Sequence, residues 1–136
     1  MKKISIGSWA YAIGPYEEDP VPWDEVTSKL KDLGFDGVEL GGFSVHPSPE
    51  THPTKEGRQR MKADLTAKGL EFSGFVPNLW GEHLIDTEDP TDYLNAFREG
   101  LEFATDIGVA GIRVDCVQPP TILDGMDEDT ARHDAR

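Results

Sequence analysis

One phrase of the sequence recurs and constrains the fold more than any other feature. An amphipathic segment ends in glycine, a single apolar residue follows, and a short strand-like run begins; the copies start at Gly34, Gly69 and Gly108. A glycine just past a helix adopts the left-handed cap conformation at little cost, and the apolar residue after it packs back on the last turn. The copies lie about 35 to 40 residues apart, roughly the length of one βα unit. The repetition therefore predicts consecutive βα units on a parallel sheet.

Hydrophobic periodicity divides the chain into alternating strands and helices. Strands are predicted at about 3–7, 37–40, 70–76 and 111–114, and helices at about 23–33, 55–68 and 90–107. Asp89 is the predicted N-cap of the third helix, and the start of a fourth helix follows residue 124. Because no linker-like segment interrupts the pattern, we expect residues 1–136 to form a single domain.

Four parallel strands with three to four helices correspond to the N-terminal half of a (β/α)8 TIM barrel, which needs about 250 residues in full. The alternative is an open, doubly wound α/β sheet of four strands, whose first βα turn usually carries a glycine-rich phosphate-binding pattern. The segment after the first predicted strand, Gly7-Ser8-Trp9-Ala10-Tyr11, has no such pattern. The sequence therefore favours the half-barrel.

Charge and apolar runs argue against two classes of partner. The chain has 26 acidic and 13 basic residues and a net charge of −13, whereas nucleic-acid binding needs a basic face. No apolar run approaches the roughly 20 residues that span a bilayer. Residues 2–12 mimic a signal peptide, but their apolar stretch is too short and is interrupted by serine and glycine. The single cysteine, Cys116, fits a reducing compartment, so we expect a cytoplasmic protein.

The residues around the recurring phrase resemble a known family. The resemblance is carried by Leu33-Gly34-Phe35-Asp36-Gly37-Val38-Glu39-Leu40, by Gly69-Leu70-Glu71 and by Gly108-Val109-Ala110-Gly111-Ile112-Arg113-Val114. The chain looks like the N-terminal half of the sugar phosphate isomerase/epimerase group of xylose-isomerase-like TIM barrels. That superfamily also contains AP endonucleases and inosose dehydratases. The endonuclease branch places histidines where this chain has Val76-Pro77 and Asp115, so the resemblance argues against it.

The resemblance implies a metal-dependent enzyme that acts on a sugar or keto-sugar as an isomerase or epimerase, or as a lyase or dehydratase. In the family, carboxylates and a histidine at the ends of strands five to eight hold a divalent metal (Mn, Mg, Co or Zn). Acidic residues there move protons beside the substrate carbonyl. Those strands lie outside this chain, so we assign no metal ligand to it. His46, His52 and Glu50 match no ligand spacing either.

Strand parity selects the residues that face the barrel interior, since successive side chains of a strand alternate between faces. The apolar residues at 38, 40, 112 and 114 face the helices, so Glu39, Arg113 and Asp115 point inward, together with positions 5, 7, 9 and 73. Active sites of this fold lie at the carboxyl ends of the strands, which makes these polar groups candidates for substrate contact. The alternative is that Glu39 and Arg113 only neutralise one another inside the barrel, at less than about 6 Å.

Five further candidates follow the predicted strands on the same rim: Trp9, Tyr11, His46, Asn78 and Trp80. Aromatic rings suit the apolar faces of sugars, and a histidine can polarise a substrate oxygen. The alternative for each residue is an ordinary loop or core position.

Two functional hypotheses stay open, an enzyme when the barrel is complete and a truncated barrel that serves as a binding or interaction module. Alone, the 136 residues are expected to hold no stoichiometric metal and to show no isomerase or epimerase activity. The outer strands of a half-barrel are unpaired edges, and its inner face, with Trp9 and Phe75 on it, is open. We therefore expect a homo-oligomer, or a companion chain that completes the barrel.

Overall fold

Strands and helices alternate along the part of the chain that the structure, a computed structural model, describes: residues 2–79 and 89–114. The elements are β1 (Ser5–Gly7), α1 (Trp23–Asp32), β2 (Gly37–Gly42), α2 (Lys55–Ala67), β3 (Glu71–Pro77) and α3 (Thr91–Ile107). The strands are parallel and lie in the order β1-β2-β3. This is the alternation that the sequence predicted. Within the described ranges, no helix has the length and apolar character that crossing a membrane requires.

The glycines of the recurring phrase end the three helices as predicted. Gly34, Gly69 and Gly108 have φ values of 78°, 80° and 77°, a region that other residues rarely adopt. The residue after each glycine donates its N–H to a carbonyl of the last helical turn: Phe35 to Leu30, Leu70 to Leu65 and Val109 to Ala104. This is the Schellman arrangement, and the three donors also pack against the core. The caps thus return each chain segment toward the sheet.

The third helix begins slightly differently from the prediction. Its N-cap is Pro90 rather than Asp89, and Asp89 Oδ1 accepts the N–H of Thr91 at 3.0 Å. The Asp89 carboxylate still accepts a backbone N–H of the first turn, as an N-cap side chain does.

The predicted fourth strand is represented by one bridge rather than a strand in the described residues. Ile112 pairs in parallel with Phe75, and the N–H of Arg113 donates to the carbonyl of Phe75 at 2.8 Å. A longer ladder would need further residue pairs. None can be described after residue 114, because the described residues end there. The chain nevertheless lies beside β3, at the place expected for a fourth strand.

Two apolar clusters separate the helices from the sheet. One lies between the strands and α2 and α3, and its buried members are Leu40, Met61, Phe75, Phe103, Ala104 and Ile107. The other lies between the strands and α1 and α2, with Val26, Leu30, Val38, Leu65 and Leu70 buried in it. Phe72 packs against both clusters. The helices therefore cover one face of the sheet, and the other face is the barrel interior.

A bulge in β3 changes which of its residues face inward. Val38 pairs with Phe72, but Glu39 pairs with Gly74, so Ser73 is an extra residue in β3. The extra residue reverses the alternation beyond it. Phe75 consequently lies in the helix-side core, stacked on Phe103 with ring centroids 4.9 Å apart. The expectation that Phe75 lines the open inner face is wrong, and Gly74 occupies the inward position instead.

Candidate functional site

Glu39 of β2 is at the centre of the inner face. In the parallel register it lies between Gly7 of β1 and Gly74 of β3. Its helix-side neighbours, Val38 and Leu40, are fully buried, while the Glu39 side chain keeps 28% of its exposure. The alternation of apolar and acidic residues in this strand thus directs the carboxylate into the barrel, as strand parity predicted.

Trp9 reaches the same carboxylate from the turn that follows β1. This turn is a short 3₁₀ helix, Ser8–Tyr11, and Ser8 is completely buried. The Ser8 hydroxyl oxygen accepts the N–H of Gly41 at 3.0 Å, which ties the turn to β2. The Trp9 indole N–H then donates to Glu39 Oε2 at 2.9 Å.

Arg113 completes a cluster of three side chains, which we call the inner-face cluster: Trp9, Glu39 and Arg113. Arg113 Nη1 lies 3.6 Å from Glu39 Oε2, so the predicted meeting of these two charges is confirmed. Its guanidinium carbon lies 5.3 Å from the centroid of the Trp9 ring, within cation–π range. The Arg113 side chain is 44% exposed, so the expectation of a buried ion pair is wrong: water reaches both partners.

The inner-face cluster brings together three side chains of different chemistry, each partly exposed in the described structure. A carboxylate accepts hydrogen bonds from hydroxyl groups, and a guanidinium donates to carbonyl or carboxylate oxygens. An indole ring contacts the C–H faces of a ring-shaped ligand. Together these groups match a small molecule with several hydroxyls and a carbonyl or acidic group.

Two of the predicted site residues lie elsewhere, because the loops that carry them fold back on the helix side. The Tyr11 ring packs against the apolar cluster that lies between the sheet and helices α1 and α2, and its centroid is 6.0 Å from that of the Tyr16 ring. His46 is 0% exposed, and its Nε2–H donates to the carbonyl of Val21 at 3.0 Å. Burial lowers the pKa of His46 below its ordinary value, so the neutral ring is favoured. In this arrangement both residues have structural contacts rather than a place in the inner-face cluster.

The other predicted site residues fall outside the cluster or outside the described residues. Asn78 is exposed just past β3 and borders a small cleft with Glu50 and Glu99. Trp80 and Asp115 lie outside the described residues, so their predicted roles stay predictions.

No group of three or more His, Cys, Asp or Glu side chains within residues 2–79 and 89–114 is placed to hold a metal ion. We therefore assign no metal ligand within these ranges. The family resemblance expects the ligands in strands beyond this chain, and the expectation stays a prediction.

Three contributors to the site were not identified from the sequence: Ser8, Gly41 and Gly74. Ser8 acts through a hydrogen bond to a residue on another strand, which no local pattern reveals. Gly74 carried a signal, since a glycine inside a strand often marks a bulge or a close approach.

Comparison with solved structures identifies the architecture. The chain is similar to the crystal structure of the probable 3-DHS dehydratase AsbF from Bacillus anthracis, described as involved in petrobactin synthesis. The TM-score is 0.60 at 18% sequence identity, and the match covers 82% of this chain and 37% of that one. This chain thus spans well under half the length of that enzyme. No protein-family model and no curated protein matches the sequence.

The likeness establishes the fold. Since the similar structure is a TIM-barrel enzyme, the chain has the predicted α/β architecture of a half-barrel. At 18% identity the likeness shows the fold alone, so membership of the xylose-isomerase-like superfamily and of the isomerase/epimerase group stays a prediction.

Proposed function

We propose that the chain is part of a barrel enzyme that acts on a sugar or keto-sugar, with the inner-face cluster as part of its substrate site. The observation that carries the proposal is the meeting of Glu39, Trp9 and Arg113 on the inner face, at 2.9 Å and 3.6 Å from Glu39 Oε2. Active sites of this fold lie among inward-facing residues at the carboxyl ends of the strands. Half-exposed, mutually oriented polar groups at that place favour ligand contact over simple neutralisation.

The proposed reaction class is proton transfer beside a carbonyl, leading to isomerisation, epimerisation or loss of water. The sequence resemblance supports all three outcomes, and the dehydratase description of the similar structure adds support for the third. Glu39 would accept a hydrogen bond from a substrate hydroxyl, and Arg113 would donate to a carbonyl or carboxylate oxygen. A divalent metal, with ligands on strands beyond this chain, would supply Lewis-acid polarisation of the carbonyl.

The test uses the full-length natural polypeptide that contains these residues. After treatment with EDTA it is resupplied with Mn²⁺, Mg²⁺, Co²⁺ or Zn²⁺ and incubated in D₂O with ketohexoses, inososes or 3-DHS. Exchange of the hydrogen next to the carbonyl and the appearance of products are followed by NMR. We expect exchange with at least one of these compounds. Binding without exchange would instead support the binding module, and neither binding nor exchange would contradict the proposal.

Substitution of Glu39 tests the role of the cluster. Glu39→Gln should lower kcat/KM about 10- to 100-fold, the usual effect of losing a hydrogen bond to a charged group. Glu71→Gln is the matched control, because Glu71 also forms an ion pair from this sheet, with Lys3, but at its opposite end. Equal effects of the two substitutions would indicate a general loss of stability and would contradict a site at Glu39.

A further inference from the structure

Three glycines on the inner face have no conformational need to be glycine. Gly7, Gly41 and Gly74 lie on the three strands, and none of them has a positive φ. Glycine inside a strand is destabilising relative to alanine, because it loses more backbone freedom on folding and has no side chain to pack. A reason other than backbone conformation must therefore account for their presence.

The glycines leave space for two members of the inner-face cluster, Trp9 and Glu39. A Cβ atom on Gly7 would lie 2.0 Å from Nε1 of Trp9, so the indole occupies the place of a side chain on β1. A Cβ atom on Gly41 would lie 3.0 Å from the Trp9 Cβ. On Gly74 it would lie 3.0 Å from Glu39 Oε1 and 3.2 Å from Glu39 Cγ. All three strands thus leave room for the Trp9–Glu39 pair.

The contacts of Glu39 are divided unequally between its two oxygens. The indole N–H of Trp9 and the guanidinium of Arg113 both approach Oε2. Oε1 is the oxygen that lies beside Gly74. With Oε2 held by a charge-assisted hydrogen bond, rotation of the carboxylate is restricted and the direction of Oε1 is set.

We propose that Trp9 is a positioning residue, which holds Glu39 so that Oε1 is presented to a substrate hydroxyl, and that Gly7 and Gly74 are required for this arrangement. The inference rests on the proposed function, in which Glu39 contacts the substrate. It changes the role of Trp9, which acts through Glu39 rather than as a stacking platform for the sugar.

The variants follow from the distances. Trp9→Phe keeps an aromatic ring and removes the N–H donor. Gly74→Ala requires only the flexible Glu39 side chain to move, so it keeps the backbone of β3. Gly111→Ala is the matched control, because an added Cβ there has no atom within 4 Å and the backbone is not in the left-handed region.

The first measurement follows the indole N–H of Trp9 by ¹⁵N NMR on the full-length natural polypeptide, with the signal assigned by its loss in Trp9→Phe. We expect Glu39→Ala and Gly74→Ala to shift this signal and to accelerate its exchange with water, and Gly111→Ala to leave both unchanged. The indole N–H of Trp23, on the helix side in α1, is an internal reference. If Glu39→Ala changes neither the position of the Trp9 indole signal nor its exchange with water, the proposal is overturned.

The second measurement is the affinity for D-fructose, titrated against the same polypeptide. Trp9→Phe and Gly74→Ala should each weaken binding about tenfold, as expected for disturbance of a hydrogen bond to a charged group, and Gly111→Ala should not. Unchanged affinity of Trp9→Phe would contradict the positioning role. If the unmodified polypeptide does not bind D-fructose, that result counts against the proposed function, while the indole signal still decides whether Trp9 holds Glu39.

Discussion

Two arginines of this chain form ion pairs in different surroundings. Arg58 of α2 is 10% exposed, and its Nη1 lies 3.1 Å from Asp106 of α3. Its Nε–H donates to the carbonyl of His52 at 2.8 Å, and its guanidinium lies over the ring of Phe103. Arg113, at 44% exposure, has its 3.6 Å contact with Glu39 on the open inner face. The same type of side chain is thus largely buried in one place and partly exposed in the other.

The difference predicts unequal costs of removing the two charges. Arg58→Met should destabilise the fold by about 2 kcal/mol or more, because Asp106 keeps only its 3.7 Å contact with Lys55 and the carbonyl of His52 loses its donor. Arg113→Met should cost no more than about 1 kcal/mol, since a partly solvated pair contributes little. Urea denaturation of both variants measures the two values. Similar costs would mean that the Glu39–Arg113 pair is desolvated after all.

Strand parity predicted the Glu39–Arg113 contact because alternation is a local property that holds wherever strands pair. It could not predict the exposure of the pair, which depends on what covers the inner face. Sequence reasoning placed His46 on the rim for a similar reason. Its burial arises from contacts with Val21 and Trp23, more than twenty positions away, and no local pattern encodes them.

At the scale of elements, His46 joins two of the loops that follow strands. Its ring donates to Val21 in the β1–α1 loop, and its own N–H donates to the carbonyl of Phe43 at the end of β2. Val21 in turn donates its N–H to the carbonyl of Tyr11 at 3.0 Å. The loop that carries Trp9 is therefore linked to the loop after β2 through one neutral histidine.

This link predicts a loss of stability in acid. Burial holds the pKa of His46 below the ordinary value of 6.5, so the unfolded chain binds the proton more readily than the folded one. The contribution is fully present above pH 6.5 and is lost as the pH falls below it. The free energy of unfolding, measured at pH 7.5 and about 5.5, should fall more for the natural sequence than for His46→Gln, which does not titrate. His52→Gln controls for the second histidine with a lowered pKa, and an equal fall in His46→Gln would contradict the prediction.

The order of elements was more predictable than the details of the strands. Glycine caps and helix periodicity are repeated local signals, and the three helices form where they were expected. The bulge at Ser73 was not predicted, because one extra residue leaves the composition of the strand segment nearly unchanged. It nevertheless places Phe75 in the core instead of on the inner face. A single insertion in a ladder thus decides which side chains the interior contains.

On the scale of the whole molecule, the described part of the half-barrel has an open edge and an open inner face. In the described sheet β1 has a strand only on its β2 side, and the inner face carries the polar inner-face cluster rather than Phe75. The exposed large apolar residues of the described ranges include two on α3. Leu94 and Leu101 of α3 are seven residues apart, on one helical face, and both are exposed.

We propose that the 136-residue chain associates with a second copy when it is produced alone, and with a chain that carries the remaining strands when one is supplied. Within the described sheet, the outer edge of β1 has no neighbouring strand to pair its N–H and C=O groups. The exposed α3 leucines lie on a helix that is flanked by a further helix in a complete barrel. Sedimentation equilibrium should therefore give a mass above the 15.0 kDa of one chain. Leu101→Glu should weaken this self-association, whereas Leu33→Glu, at another exposed leucine just past α1, should have less effect. A single species of 15.0 kDa with a cooperative thermal transition would show instead that the half-barrel is stable as a monomer.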